Sequence, residues 1–167
     1  MLREDGIVMD DGTTTRISEN HYHMTTTTAQ AANVLSHLEY YLQLVWPELN
    51  VNVVSTTEQW AGAAIAGPKS RELLKKLFPK LNVSNEGLPF MGYIEGDLFG
   101  VHARIFRISF SGELAYEVNV ESDNGNFMWE KIIEIGKEFN IQPYGTEALS
   151  TVRIEMGHVA GSELDGR

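Results

Sequence analysis

Residues 107–117 read Arg107-Ile-Ser-Phe-Ser-Gly-Glu-Leu-Ala-Tyr-Glu117, and a strand pattern stops and resumes within them. A β-rich run over 101–108 ends at 109–112, where serine and glycine are typical of a turn. The pattern resumes over 116–120 as Tyr-Glu-Val-Asn-Val. A strand, a short turn and a returning strand together predict antiparallel pairing, which decides the fold class.

One residue of this stretch, Glu117, carries a charge inside the returning strand. Its neighbours Tyr116 and Val118 are strand formers, so the carboxylate needs a partner or water. A carboxylate in this setting can accept two parallel N–H bonds from a flat heterocycle while an aromatic ring stacks nearby. The residues therefore indicate a pterin-like or guanidinium-like ligand, and an exposed strand glutamate is the alternative interpretation.

The remaining patterns place strands in clusters beside helices. The first strand pattern, over 6–9, is followed by a hairpin over 13–17 and 21–25. Further strands are predicted at 51–54, 60–65, 90–95, 101–109 and 115–120, and helices at 29–45, 68–78, 123–139 and 145–156. Because the strands and helices do not alternate strictly, the sequence predicts an α+β fold with mainly antiparallel sheets and packed helices.

Composition narrows the class of protein. The chain has 167 residues, 43% hydrophobic and 22% charged, which is ordinary for one soluble globular domain or two small ones. The formal net charge of −10 argues against nucleic acid and anionic membranes as partners. No apolar run has the length of a membrane span, and no signal peptide is expected at the start. The absence of cysteine fits a cytoplasmic protein.

The sequence gives little indication of a metal site or of thiol chemistry. The chain contains no cysteine, which excludes disulfides, thiolate catalysis and cysteine-ligated metals within it. His21 and His23 point to one face of a predicted strand, but no third ligand stands out beside them. We therefore predict no metal site.

Four stretches, in order along the chain, carry a resemblance to a known family. They are Met1–Gly12, which includes Asp10-Asp11-Gly12, the helix start Ala66-Gly67-Pro68, the segment Ser109–Glu117, and Arg153-Ile-Glu-Met-Gly-His-Val-Ala-Gly-Ser-Glu-Leu-Asp-Gly-Arg167. Together they resemble the folate-binding glycine-cleavage T-protein-like (aminomethyltransferase) family. Within that family, the last stretch is more similar to the alpha subunits of heterotetrameric sarcosine oxidases than to the aminomethyltransferases.

The resemblance implies a fold and a domain organisation. The chain would form the central part of the T-protein-like folate-binding fold. Residues 1–80 would belong to the first folate-binding subdomain, truncated at its N-terminus, and residues 81–167 would form a second α+β subdomain that lacks the C-terminal barrel. The flavin and NAD sites of a complete oxidase would lie outside this chain, because no G-x-G-x-x-G follows a predicted strand.

The resemblance also implies a catalytic carboxylate in the acidic pair Asp10-Asp11. Neighbouring strand residues point to opposite faces, so only one of the two can line the site. We favour Asp11 as the catalytic residue, because it shares a face with Thr13 and Thr15, which we assign to folate binding. The alternative is an acidic pair that serves only the turn at Gly12.

Further folate-binding residues follow from the same resemblance. Glu117 matches the glutamate that binds the pterin in the family, and Glu113 is retained from the same motif. Phe110 stands where the family usually has tyrosine, which preserves ring stacking and removes a hydroxyl. Arg153 matches an arginine near the folate, and its alternative role is an ion pair with Glu147 or Glu155.

The function implied is that of a tetrahydrofolate-binding segment in a sarcosine oxidase, an oxidoreductase acting on CH–NH donors. It would accept the one-carbon unit of oxidised sarcosine and form 5,10-methylenetetrahydrofolate. An aminomethyltransferase and a non-catalytic module for folate binding or assembly remain the alternatives. Folate and the other oxidase subunits are the expected partners, and the isolated chain is expected to self-associate and to lack oxidase activity.

Overall fold

A computed structural model describes residues 1–160 and 163. The chain divides into two compact units, one formed by Met1–Thr57 with Val159–Arg167 and the other by Glu58–His158. The end of the family motif quoted above, from Gly161 onward and with the exception of Glu163, lies outside the described residues.

The first unit contains a hairpin and a helix. Strand β1 (Thr14–Ser18) pairs antiparallel with β2 (His21–Met24), with an irregularity between Arg16 and Ser18. Helix α1 (Ala31–Tyr40) follows a short 3-10 turn and continues into a π-helical turn, Tyr41–Val45. Val34 is the buried residue of α1, so this helix contributes little to a core within the described part of the unit.

The second unit is built on a four-stranded antiparallel sheet. Its strands are β3 (Trp60–Ala66), β4 (Tyr93–Leu98), β5 (Val101–Phe106) and β6 (Ala115–Glu121), in the order β3-β6-β5-β4. The predicted turn over 109–112 indeed connects two neighbouring strands, because β5 pairs antiparallel with β6. The α+β fold with antiparallel sheets is confirmed.

Helices cover one face of this sheet. Helix α2 (Ser70–Leu77) packs against α3 (Gly125–Gly136), and both contact β6. A third helix of the unit, α4 (Thr146–Glu155), follows α3 in the chain. The core contains Leu73, Leu74 and Leu77 of α2, Met128 and Ile132 of α3, and Tyr116, Val118 and Val120 of β6. Each such buried apolar side chain contributes roughly 1.5–3 kcal/mol relative to exposure.

Some predicted elements differ from the structure. The strand predicted at 51–54 is wrong: these residues, all of them described, form no strand, and Val54 is 77% exposed. Branched residues favour a strand only when a neighbouring strand pairs with them. The segment 6–9 forms an isolated bridge between Leu2 and Val8 instead of a strand.

Other elements are shorter than predicted. The strand predicted from residue 90 begins at Tyr93, because Pro89–Gly92 forms a turn in which Met91 has a φ of 62°. Residues 58–80, grouped above with the first subdomain, lie in the unit of the four-stranded sheet, where β3 pairs along its length with β6. A subdomain boundary between 80 and 81 stays a prediction. None of the helices within the described residues is long and apolar enough to cross a membrane.

Candidate functional site

Glu117 lies on the sheet face opposite the helices. Along β6, Tyr116, Val118 and Val120 are fully buried in the core. Successive strand residues point to opposite faces, so Glu117 and Asn119 share the other face. The sequence therefore places this carboxylate on the sheet face that α2 and α3 leave uncovered.

The Glu117 carboxylate is half-buried and has no partner. It forms no hydrogen bond or ion pair with the residues that the structure describes. Burial raises the pKa of Glu117 above its ordinary value of 4.5, because the sheet displaces water from the charged form. A carboxylate that is partly desolvated and unpaired is suited to a ligand that donates N–H groups.

The residues that flank Glu117 on the neighbouring strands are small on the β3 side and aromatic on the β5 side. In the register of the sheet, Glu117 stands between Ala64 of β3 and Phe106 of β5. The rings of Phe106 and Tyr93 lie 5.1 Å apart between centroids. Ala64 is exposed and carries only a methyl group, so a flat ring can approach the carboxylate from the β3 side.

A second charged group, Arg104, lies further along the same face. Its guanidinium stacks over the ring of Trp60, 4.0 Å from the ring centroid, and its Nε lies 3.5 Å from Glu95. Tyr93 donates a hydrogen bond from its hydroxyl to Glu95, and burial together with this bond raises the pKa of Tyr93 above its ordinary value. These contacts hold Glu95 and Arg104 beside each other, although Arg104 Nε is buried and forms no hydrogen bond with the described residues.

Two other predicted site residues, Phe110 and Arg153, meet through His158. The Phe110 ring, 43% exposed, stacks on the His158 ring with centroids 6.1 Å apart, and His158 Nδ1 lies 2.8 Å from the Phe110 carbonyl oxygen. Arg153 donates from Nη1 to the His158 carbonyl oxygen at 3.0 Å. The turn that follows α4 is thereby attached to the loop between β5 and β6.

Gly112 allows this attachment. Its φ is +80°, and a Cβ at this position would overlap the side chain of Met156. Glu113, the next residue, is exposed, and its backbone N–H donates to Ser111 Oγ at 3.4 Å. Glu113 thus lies on the surface of the loop, beside the stacked ring of Phe110 in sequence.

The acidic pair of the first unit divides into a buried and an exposed carboxylate. Asp10 is 2% exposed and accepts two hydrogen bonds from Thr27, from the backbone N–H and from Oγ1, both at 2.9 Å. Asp11 is exposed, and its side chain forms no hydrogen bond with the described residues. Of the two acids, Asp11 is therefore the one whose carboxylate is accessible to a ligand.

The threonines near Asp11 have different roles in the structure. Thr13 donates its backbone N–H to Thr25 Oγ1 at 2.9 Å, and the two hydroxyl oxygens lie 3.0 Å apart. Thr15 is half-buried in β1, paired with His23. Because β1 begins at Thr14, Asp11 precedes the strand, and the strand alternation that groups Asp11 with Thr13 does not extend to it.

Sequence reasoning missed two residues of these arrangements. Asn119 shares the face of Glu117, and the signal was its spacing of two residues in a strand pattern. His158 lies within the last family motif, which indicates no role for it. Its proximity to Phe110 depends on the packing of α4, which no local pattern reveals.

Comparisons with known proteins agree with this architecture. The model of the GCVT N-terminal domain family matches residues 1–167, so the chain belongs to that family. It is 51% identical over 99% of its length to the sarcosine oxidase subunit alpha of Rhizobium meliloti, and 48% identical to that of Corynebacterium sp. strain P-1. In both cases it spans 17% of the length of the relative. It is also 30% identical, over 99% of its length, to the aminomethyltransferase of Chloroherpeton thalassium, of which it spans 44%.

Proposed function

We propose that this chain is a tetrahydrofolate-binding segment of a sarcosine oxidase alpha subunit. It accepts the one-carbon unit of oxidised sarcosine and thereby contributes to forming 5,10-methylenetetrahydrofolate. The similarity to sarcosine oxidase alpha subunits and membership in the GCVT family support the proposal. The observation that carries it is the half-buried, unpartnered carboxylate of Glu117.

Glu117 fits one edge of a pterin. That edge presents two N–H groups side by side, and a carboxylate accepts both in a bidentate pair. On the β3 side, Ala64 carries only a methyl group, so the ring has room to lie against the sheet. Pairing replaces the water that burial removes from Glu117, so the binding of the ligand compensates the desolvation of the carboxylate.

The other assigned residues have separate roles in the proposal. Phe110 stacks against the folate, Arg153 lies near it with Glu113, and Thr13 and Thr15 line the folate site with Asp11. Bound tetrahydrofolate supplies the nitrogens that take up the one-carbon unit. Asp11, whose carboxylate is accessible, orients the amine donor, stabilises developing positive charge and directs a proton.

The proposal includes the setting of the segment. The oxidation of sarcosine takes place at a flavin held outside this chain, and the NAD site also lies elsewhere. The partners are folate and the other subunits of a cytoplasmic oxidase. The isolated chain is expected to lack oxidase activity and to self-associate.

An aminomethyltransferase is the second candidate, favoured by the 30% identity to such an enzyme over nearly the whole chain. Both candidates use Asp11, whereas a non-catalytic folate or assembly module does not. Replacing Asp11 by Asn in the assembled enzyme and measuring methylenetetrahydrofolate formation separates the two catalytic candidates from the non-catalytic module. Unchanged turnover would remove catalysis from this segment.

Calorimetric titration with 5-formyltetrahydrofolate tests the proposal directly. We expect saturable binding by the chain and at least tenfold weaker binding by Glu117→Ala, since a charge-assisted hydrogen bond contributes roughly 1.5–3 kcal/mol. Glu121→Ala is the matched control: it removes the same charge from an exposed position of β6 and should bind like the original chain. The proposal fails if the original chain does not bind, or if Glu117→Ala binds equally well.

A further inference from the structure

Asn119 lies beside Glu117 on the sheet face that α2 and α3 leave uncovered. The two residues are separated by one position of β6, so their Cα atoms lie roughly 6.6–6.8 Å apart. Both side chains are half-buried, and neither forms a hydrogen bond with the described residues. A carboxylate and an amide thus stand side by side with their hydrogen-bonding capacity unused.

Gly62 makes room for this amide. In the register of the sheet, Asn119 stands between Gly62 of β3 and Arg104 of β5. A Cβ built on Gly62 would lie 2.5 Å from Asn119 Oδ1, so the amide leans over the glycine. The β3 side of the pair therefore consists of Gly62 and Ala64, two small exposed residues over which a planar ring can lie.

The opposite side of the pair is closed. Phe106, the β5 neighbour of Glu117, is buried, and Arg104, the β5 neighbour of Asn119, is held over the ring of Trp60. A planar ligand entering from the β3 side meets the Glu117 carboxylate and the Asn119 amide along a single edge. The order of donors and acceptors on that edge then determines which rings fit.

We propose that Asn119 determines ring specificity at the folate site by donating its side-chain N–H to the 4-oxo group of the pterin. The inference rests on the proposed function. A 2-amino-4-oxo ring presents donor, donor and acceptor along one edge. Glu117 accepts from the two donors, and Asn119 is the neighbouring group on the same strand face that can donate to the acceptor.

The substitution Asn119→Asp tests this role, because aspartate has nearly the same shape and accepts where asparagine donates. The probes are 5-formyltetrahydrofolate and its 4-amino-4-deoxy analogue, which presents a donor in place of the oxo acceptor and has no proton on the neighbouring ring nitrogen. The analogue therefore offers Glu117 one donor fewer in every variant, and only the change of the ratio on substitution reports on Asn119. Because the introduced carboxylate would face the 4-oxo oxygen as a second acceptor, we expect at least tenfold weaker binding of the 4-oxo compound. The 4-amino compound should lose less, so the ratio of the two dissociation constants shifts at least tenfold toward the 4-amino ring.

A matched control is Asn124→Asp, the same change of amide to acid at the N-cap of α3, where aspartate is well tolerated. The ratio of the dissociation constants of the 4-oxo and 4-amino compounds should be the same for this variant as for the original chain. If the 4-oxo compound binds in a Glu117-dependent manner and Asn119→Asp leaves the ratio unchanged, the role of Asn119 is overturned and the proposed function stands. If the original chain binds neither compound, both are overturned.

Discussion

Each unit contains a carboxylate that is at least half-buried, and the two carboxylates differ in whether they accept hydrogen bonds. In the first, Asp10 is nearly inaccessible and accepts two hydrogen bonds from Thr27. In the second, Glu117 is half-buried and has no partner among the described residues, and burial raises its pKa. Asp10 therefore serves the stability of its own loop, whereas the acceptors of Glu117 are partly desolvated and stay unused among the described residues.

Replacing Asp10 by Ala should produce the largest loss of stability. The change removes both acceptors from Thr27, and hydrogen bonds to a charged group contribute roughly 1.5–3 kcal/mol. We expect the free energy of unfolding to fall by about 2 kcal/mol in a denaturant titration. Asp11→Ala is the neighbouring control and should change it by less than about 0.5 kcal/mol, as at other exposed positions. Equal losses in the two variants would remove the distinction between the two acids.

Replacing Glu117 by Gln should raise stability at neutral pH. The variant replaces a charge by a neutral amide, which costs less to desolvate, and we expect a gain of about 1 kcal/mol from this difference. Because the pKa of folded Glu117 is raised, its protonation stabilises the fold fully below the ordinary value of 4.5, and this contribution is lost as pH rises through the folded pKa. The advantage of Gln should therefore shrink as the pH falls toward 4.5.

Denaturant titrations at several pH values measure this difference, with Glu121→Gln as a control that should shift stability by less than about 0.5 kcal/mol. A Glu117→Gln variant that is less stable than the original chain at neutral pH would show that the carboxylate has a partner in the folded state. If the variant is more stable and no longer binds 5-formyltetrahydrofolate, Glu117 is a residue whose function lowers the stability of the fold.

A smaller effect concerns the apolar surfaces of the two units. The first unit exposes Leu44 to 70% and Val54 to 77%, somewhat more than the second unit exposes Phe90, at 66%, and Phe99, at 53%. Exposed apolar side chains in one segment favour association. We expect the double change Leu44→Lys and Val54→Lys to lower the mean mass measured by light scattering. The matched change Phe90→Lys and Phe99→Lys, on the exposed surface of the second unit, should have less effect, and an equal effect would move the associating surface there.

The sequence predicted the second unit well because its signals are local and mutually consistent. Alternation of apolar and polar residues in β6 predicted the strand, the turn over 109–112 and the position of Glu117 within the strand. The strand prediction failed at 51–54, where branched residues favour a strand but no strand pairs with them among the described residues. The assignments of Asp11, Thr13, Thr15, Phe110, Glu113, Glu117 and Arg153 to a folate site stay predictions.

The sequence by itself determined the α+β class, the antiparallel connection around Glu117 and, through its motifs, the family to which the chain belongs. These follow from periodicity and turn chemistry, which depend on residues close together in the chain. Only the tertiary structure decided which acid of the first unit is buried, that Gly62 lies beside Asn119, and that His158 stacks on Phe110. Hydrogen-bond satisfaction and burial depend on groups distant in sequence, so they become visible only when the chain has packed.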